Sequence, residues 1–409
     1  VRWFVGVAIV PGLVAYCVLL LANREDRPPT PDIAALQALH TLEPEITDRQ
    51  NSYIYMLGFA GPPETDPMLL GLARYGWMEK SRPDFDDGAD PLETDYDYSL
   101  TRPDDVIKLS QTCSESEFEC LRLLGSDNGT VKRWLDDERW LKDRYVALTS
   151  MTEFREALPF EMFAPLPSYG FVFQGQRLII AGAWQAARAG EAEAVSDMLD
   201  RDLRFWRMVL ENSDALITKM FATVAIARHF KLGNLVLRRL PSDRMSAGIP
   251  PSWRLEISDA ERSMRSSFAG EWTYFDENIR RIDGNPLNDW SGIADPTALD
   301  RAAWAILKPF WQRQHMSNRY ARIMLELGNT FDVPYDEIAS ANEAADELLE
   351  SAYRPFSRLY NFTGDLVLGA DYSTFSHYAL RVSDLEGIRR AALLVAEMRA
   401  EGVAKDDIE

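Results

Sequence analysis

Two cysteines have the type and spacing that covalent chemistry requires. Cys113 and Cys120 stand seven residues apart in QTCSESEFECLRLL, close enough for a local disulfide. A long chain with just this close pair outside its N-terminal segment suits an oxidising compartment. Zinc would need a second Cys or His pair nearby, and the sequence around SESEFE has none. The third cysteine, Cys17, follows Tyr16, where a lipidated cysteine would follow a small residue.

The other candidates are weaker. The four histidines, His40, His229, His315 and His377, form no HExxH or comparable metal pair. His40 reads as a boundary residue on a helix face. There is no nucleophile elbow of the GxSxG type, no P-loop and no dinucleotide fingerprint. The acidic run DFDDGADPLETDYDY, Asp84 to Tyr98, does not keep the alternate-position register of an EF-hand loop and reads as a solvated loop. Arg204 and Arg207 in RDLRFWR, with Lys219 on the next helix, can converge on an anion or a partner. The preferred reading is local pairing with Asp200, Asp202 and Glu211, as charged helix faces usually do. Neither a metal nor a cofactor is expected.

Two further features bear on a binding or catalytic site. PFEMFAPLPSYGFVFQG, Pro159 to Gly175, holds three prolines among aromatics, which rules out a regular helix throughout. It reads as a hydrophobic loop, with Tyr169, Phe171 and Phe173 as candidates to shape a pocket. Paired Asp and Glu carboxyls can hydrolyse glycan strands without any local motif, so an envelope hydrolase stands as the alternative function.

The elements that would carry these residues begin with a hydrophobic segment. Trp3 to Ala22, WFVGVAIVPGLVAYCVLLLA, contains no charge over twenty residues. A helix of that length spans roughly 30 Å, the thickness of a hydrocarbon core. Pro11 and Gly12 give a mid-segment kink that membrane helices tolerate. The apolar run is longer than a signal peptide's, and Leu20 and Ala22 make a poor cleavage site. Residues 1–22 are therefore expected to be an uncleaved signal-anchor, a single transmembrane helix. Arg2 on one side and Arg24 and Arg27 on the other leave the positive-inside rule neutral. The cysteine pair favours a periplasmic body, and the excess of arginine over lysine fits a GC-rich bacterium.

Residues 23–32, NREDRPPTPD, read as an extended, solvated Pro-rich linker. Beyond it, apolar residues recur at helical spacing from about Asp104 onward, and no series of short alternating strands is present. Expected helices include Asp104 to Leu124, Thr130 to Glu156, Gln176 to Ala189, Glu191 to Asn212, Ala215 to Phe230, Leu255 to Ile282, Thr297 to Leu327 with a kink at Pro309, Val333 to Leu359, and Thr374 to Arg399. Asn51 to Ala60 is open between strand and helix. Ala186, Gly190 and Ala194 resemble the helix–turn–helix of a tetratricopeptide unit, over about one repeat; nothing recurs at that period elsewhere. The expected fold is all-α, an irregular bundle or short solenoid of antiparallel hairpins. Pro241 to Pro251 divides it into 33–240 and 241–409, which can also form one continuous domain.

A net charge of −20 repels phosphate backbones, so nucleic acid is not an expected partner. Together these readings describe a membrane-anchored, extracytoplasmic helical protein. Residues 3–22 would hold it in the bacterial inner membrane, and its body would bind another protein of the cell envelope, with tryptophans and tyrosines as anchors.

Overall fold

The computed structural model describes residues 13–40, 49–81, 104–125, 129–156, 164–284, 297–352, 360–368 and 374–403. Residues 1–12 and the acidic run 84–98 lie outside the described residues. Every regular element among the described residues is a helix, and the one extended pairing is an isolated bridge between Asn51 and Glu153. Among them, no helix is long and apolar enough to cross a membrane; of the expected anchor, the described part is a helix over 13–22, α1.

Three helices form the centre: α9 (Tyr169–Arg188), α10 (Ala192–Glu211) and α11 (Leu216–Leu237). Their apolar stripes meet one another, as 3.6-residue periodicity demands. The α9–α10 turn is built by Gly190 at φ 76°. The Gly190 amide donates to Ala187 O at 3.1 Å and the Glu191 amide to Ala186 O at 3.0 Å, a Schellman arrangement whose left-handed position favours glycine. A long helix, Thr374–Ala400, packs along α11, and α8 (Arg139–Thr149) packs on α9. Trp134, Trp184, Trp206 and Trp253 are wholly buried here. These four act as core, not as an exposed aromatic surface for a partner.

Several boundaries differ from expectation for local reasons. The segment read as a loop to Gly175 becomes helical at Tyr169, because the last of its prolines is Pro167 and nothing beyond it blocks the helical ladder. Thr130 to Glu156 is two helices, α7 (Thr130–Asp137) and α8, broken at Glu138, and then an irregular stretch. Leu255 to Ile282 begins with a four-residue helix, Asp259–Arg262, before Arg265–Gly284. Pro309 does more than kink its helix: Ala298–Leu307 ends, a 3₁₀ turn spans Lys308–Phe310, and a new helix runs Arg313–Thr330. Ile338–Ala352 starts after a 3₁₀ turn, later than Val333. Asn51 to Ala60 resolves as a helix, α3 (Ser52–Leu57), capped by the Asn51 side chain.

α3 crosses α4 (Pro67–Ser81) backbone against backbone. A Cβ at Gly71 would sit 1.8 Å from Ile54 O, and one at Gly58 2.0 Å from Pro67 O. We expect Gly71→Ala to destabilise the fold by at least ~1–3 kcal/mol, because the obstruction is backbone and cannot rotate away. Chemical denaturation checks this; an unchanged midpoint would contradict the close crossing. Arg144 of α8 closes the following turn, donating to the carbonyls of Phe59, Gly61, Pro62, Pro63 and Thr65.

The segment 23–32 is not a free solvated tether. Residues 26–30 carry no regular structure, yet side chains tie the segment to the body. Asp26 accepts from the amides of Gln314, at 2.6 Å, and His315, at 3.0 Å. Those are orphan donors at the start of Arg313–Thr330, where a carboxylate also meets the helix dipole favourably. Asn318 brackets the strap, donating to Pro28 O at 2.8 Å and accepting from the Thr30 amide at 3.1 Å. Asn23 accepts from the Asn361 amide through Oδ1 at 2.6 Å and from Gln312 Nε2 through its carbonyl at 2.8 Å. Composition marks residues 26–30 correctly as non-helical, while Pro31 and Asp32 already belong to a helix, α2 (Pro31–His40); the groups that meet Asn23 and Asp26 include Gln312 and Gln314, almost three hundred positions away.

Candidate functional site

Two buried polar clusters flank α11. The first joins α8, α9, α10, α11 and the 3₁₀ turn Pro251–Arg254. His229 of α11 and Asp202 of α10 are wholly buried and 2.7 Å apart, Nδ1 to Oδ2. Trp253 Nε1–H donates to His229 Nε2 at 2.8 Å. An indole N–H can only donate. Nε2 is therefore the acceptor, and Nδ1 carries the hydrogen that points at Asp202. Trp206 Nε1–H donates to Tyr145 Oη at 2.8 Å, and Tyr145 donates in turn to Asp202 Oδ1. Gln176 Nε2 donates to Asp202 Oδ2 at 3.2 Å and to Ala225 O at 3.1 Å.

A His–Asp pair resembles the base and orienting group of a hydrolase, but here the chemistry is blocked. The nitrogen a general base would use is occupied by Trp253. Both Asp202 oxygens are engaged. This cluster locks five elements together and presents no free lone pair to a substrate.

The second cluster lies where residues 153–156 meet α3, α9 and the start of α11. Glu156 Oε2 accepts from the Ala215 amide and Oε1 from the Thr218 hydroxyl, each at 2.5 Å. Thr218 Oγ1 lies 2.5 Å from Tyr169 Oη. Burial pushes the Glu156 carboxyl up to about 8, against the Ala215 and Thr218 hydrogen bonds that favour its ionised form. Burial also raises Asp214 to about 6, against the nearby charges of Lys219 and Arg155. Lys219, wholly enclosed, is lowered by burial to about 7, opposed by the charges of Glu261, Glu211, Asp214 and Glu156. The Tyr53 hydroxyl is also wholly buried, with no hydrogen-bond partner among the described residues. The Glu156–Thr218–Tyr169 chain can be read in either direction. With Glu156 ionised, the hydroxyls donate toward it. With Glu156 protonated, its O–H donates to Thr218. The cluster can therefore store a proton.

No known protein family, curated protein or solved structure matches this chain. Any function must accordingly be argued from its own residues.

The residues singled out from sequence separate. Cys113 and Cys120 form a disulfide, Cα to Cα 4.4 Å. It joins two consecutive helices, α5 (Asp104–Glu115) and α6 (Glu117–Gly125), into which the expected helix Asp104 to Leu124 divides. Arg204, Arg207 and Lys219 do not converge on an open anion site. Arg204 pairs with Asp200 at 2.7 Å one turn earlier on its own helix. Arg207 forms a two-pronged pair with Glu261 and donates to the carbonyls of Leu255 and Glu256, fastening the 252–262 segment. Lys219 Nζ donates to Leu210 O at 2.8 Å inside the core. Of the aromatic trio, Tyr169 and Phe173 point inward from the first turns of α9, and Tyr169 stacks on Phe221 with centroids 4.0 Å apart. Phe171 is half-buried. Instead of lining a pocket loop, they begin the central helix. Among the described residues, no group of three or more His, Cys, Asp or Glu side chains is placed to hold a metal ion.

Sequence reading missed Asp202, His229 and Trp253 as a set, and also Glu156. The partners of Asp202 lie 57 residues before it and 27 after it. No local pattern links such positions. The one available signal is a histidine on the apolar stripe of a helix, a position that requires a buried partner.

Proposed function

We propose that this chain is a single-pass bacterial inner-membrane protein, anchored through residues 3–22, whose helical body works in the periplasm and binds another component of the envelope. The observation that carries this reading is the strap. The apolar segment continues into residues fastened to the body by Asp26, Asn23 and Asn318, so the body would sit at a fixed height and tilt against the membrane. A freely tethered domain would need no such fastening. The Cys113–Cys120 disulfide supports an oxidising compartment.

An envelope hydrolase acting through paired carboxyls is the second reading. Glu156 and Asp214, both raised, are the observation in its favour. Both are buried, and the oxygens of Glu156 are taken by Ala215 and Thr218, which favours the binding role.

The test is membrane fractionation of cells that produce the full chain. We expect the protein to stay with membranes through alkaline extraction and to be digested when protease is added to spheroplasts. Release by alkali would remove the anchor, and protection in spheroplasts would reverse the orientation.

A further inference from the structure

The helix Ala298–Leu307 is built inside out. Leu299, Ala302, Ala303, Ile306 and Leu307 recur at i, i+3, i+4, i+7 and i+8, the stripe that a helix normally turns toward its core. Here the stripe faces solvent: Leu299 is 78% exposed, Ile306 57% and Leu307 40%, and no residue of the helix is buried. Trp304, on another side, instead makes an edge contact with Trp311. A Thr297–Asp300 capping box fixes the helix start, so the exposed stripe belongs to a well-formed element.

The surface does not end there. Tyr16 of α1 donates to Ile306 O at 3.3 Å and meets the Phe310 ring edge-on at 5.6 Å. Beside it, α1 exposes Leu13, Val14, Val18 and Leu21. Arg24, Arg27, Arg301 and Lys308 are exposed in or beside these two helices, four cations against the three acids Glu25, Asp26 and Asp300, in a chain whose net charge is −20. An outward apolar stripe, flanking cations and continuity with an uncharged segment match a helix lying in a bilayer interface.

We propose that Ala298–Leu307 is a second lipid contact, lying flat in the interface beside the anchor, with Leu299, Ile306 and Leu307 among the acyl chains. The occupant is the bilayer itself, because the stripe runs into the exposed apolar side of α1. The inference rests on the reading of residues 3–22 as an anchor. The surface helix would add a second point of attachment to the anchor and its strap in holding the body against the membrane.

The test uses the full chain with Cys17→Ser and Ile306→Cys, labelled at 306 with an environment-sensitive fluorophore. The protein is reconstituted in phosphatidylethanolamine–phosphatidylglycerol vesicles with and without brominated acyl chains. We expect a blue-shifted emission and a loss of about half the fluorescence in brominated lipid, as for a helix seated at the headgroup–acyl boundary. If the protein resists alkaline extraction from the vesicles but the label emits as in water, the proposal fails and the anchor reading stands. A label that is shielded yet unquenched, with a doubled mass in detergent, would assign the stripe to a second copy and overturn the proposal. A chain that does not associate with the vesicles would overturn both.

Discussion

Asp202→Ala is expected to lower the stability of the fold by about 3–5 kcal/mol, because it strands several buried donors at once. Tyr145, His229 and Gln176 all direct hydrogens at this carboxylate, and no water reaches them at a residue 1% exposed. The imidazole cannot adapt by exchanging tautomers. A hydrogen moved to Nε2 would face the Trp253 N–H, which already points there. Asp202→Asn keeps the volume and one acceptor oxygen, but its amide must oppose either the Tyr145 hydroxyl or the His229 N–H, so an intermediate loss of about 1–3 kcal/mol is expected. Denaturant midpoints of the two variants against the parent check the order. A loss below about 1 kcal/mol for the alanine variant would contradict a buried, fully engaged network.

The second large effect depends on pH. Burial holds the Glu156 carboxyl at about 8 in the folded protein, against about 4.3 for a free glutamate. Between those values the unfolded chain has released a proton that the folded chain still holds. Stability from this group is complete below about pH 4.3 and is lost as pH rises toward 8. Asp214, at about 6, acts in the same direction over a lower window, from about 3.9 upward. Lys219, at about 7, acts oppositely: the unfolded chain holds the extra proton between about 7 and 10.4, so stability recovers as pH rises through that window. Unfolding free energies should therefore fall from pH 5 to pH 8 by several kcal/mol, an order-of-magnitude figure from the size of the Glu156 shift. Glu156→Gln, whose amide can donate to Thr218 as the protonated acid does, should flatten most of that fall. The comparison of slopes separates the titration from any constant packing loss. An equally steep fall in the variant would show that Glu156 is not the buried acid responsible.

The fold was legible where periodicity and punctuation agree. Gly190 ends α9 because the turn needs a left-handed residue, and the spacing of Val195, Met198, Leu199, Leu203, Trp206 and Leu210 reveals the inward face of α10, all of them buried but Met198, which is partly so. Legibility failed where a proline's reach was overestimated or a boundary depended on distant packing. Pro167 stops nothing beyond itself, so Tyr169 begins a helix. Pro309 terminates a helix because Phe310 and Trp311 turn into the core. The site was least legible. Arg204 alone has a partner on its own helix; Arg207 reaches 54 residues forward to Glu261. Buried polar residues are satisfied by whatever the tertiary fold brings near, and sequence spacing carries no trace of that. The strap shows the same limit, since NREDRPPTPD has linker composition and becomes a fixed part through distant residues such as Gln312, Gln314, His315, Asn318 and Asn361.

The most direct measurement is the thiol state of Cys113 and Cys120 in intact cells, read by alkylation and mass shift with and without prior reduction. A periplasmic body joined across these residues predicts that both are blocked until reductant is added, while Cys17 is not disulfide-bonded. Alkylation of both after lysis without reductant would place the body in a reducing compartment and contradict the address on which the proposed role depends.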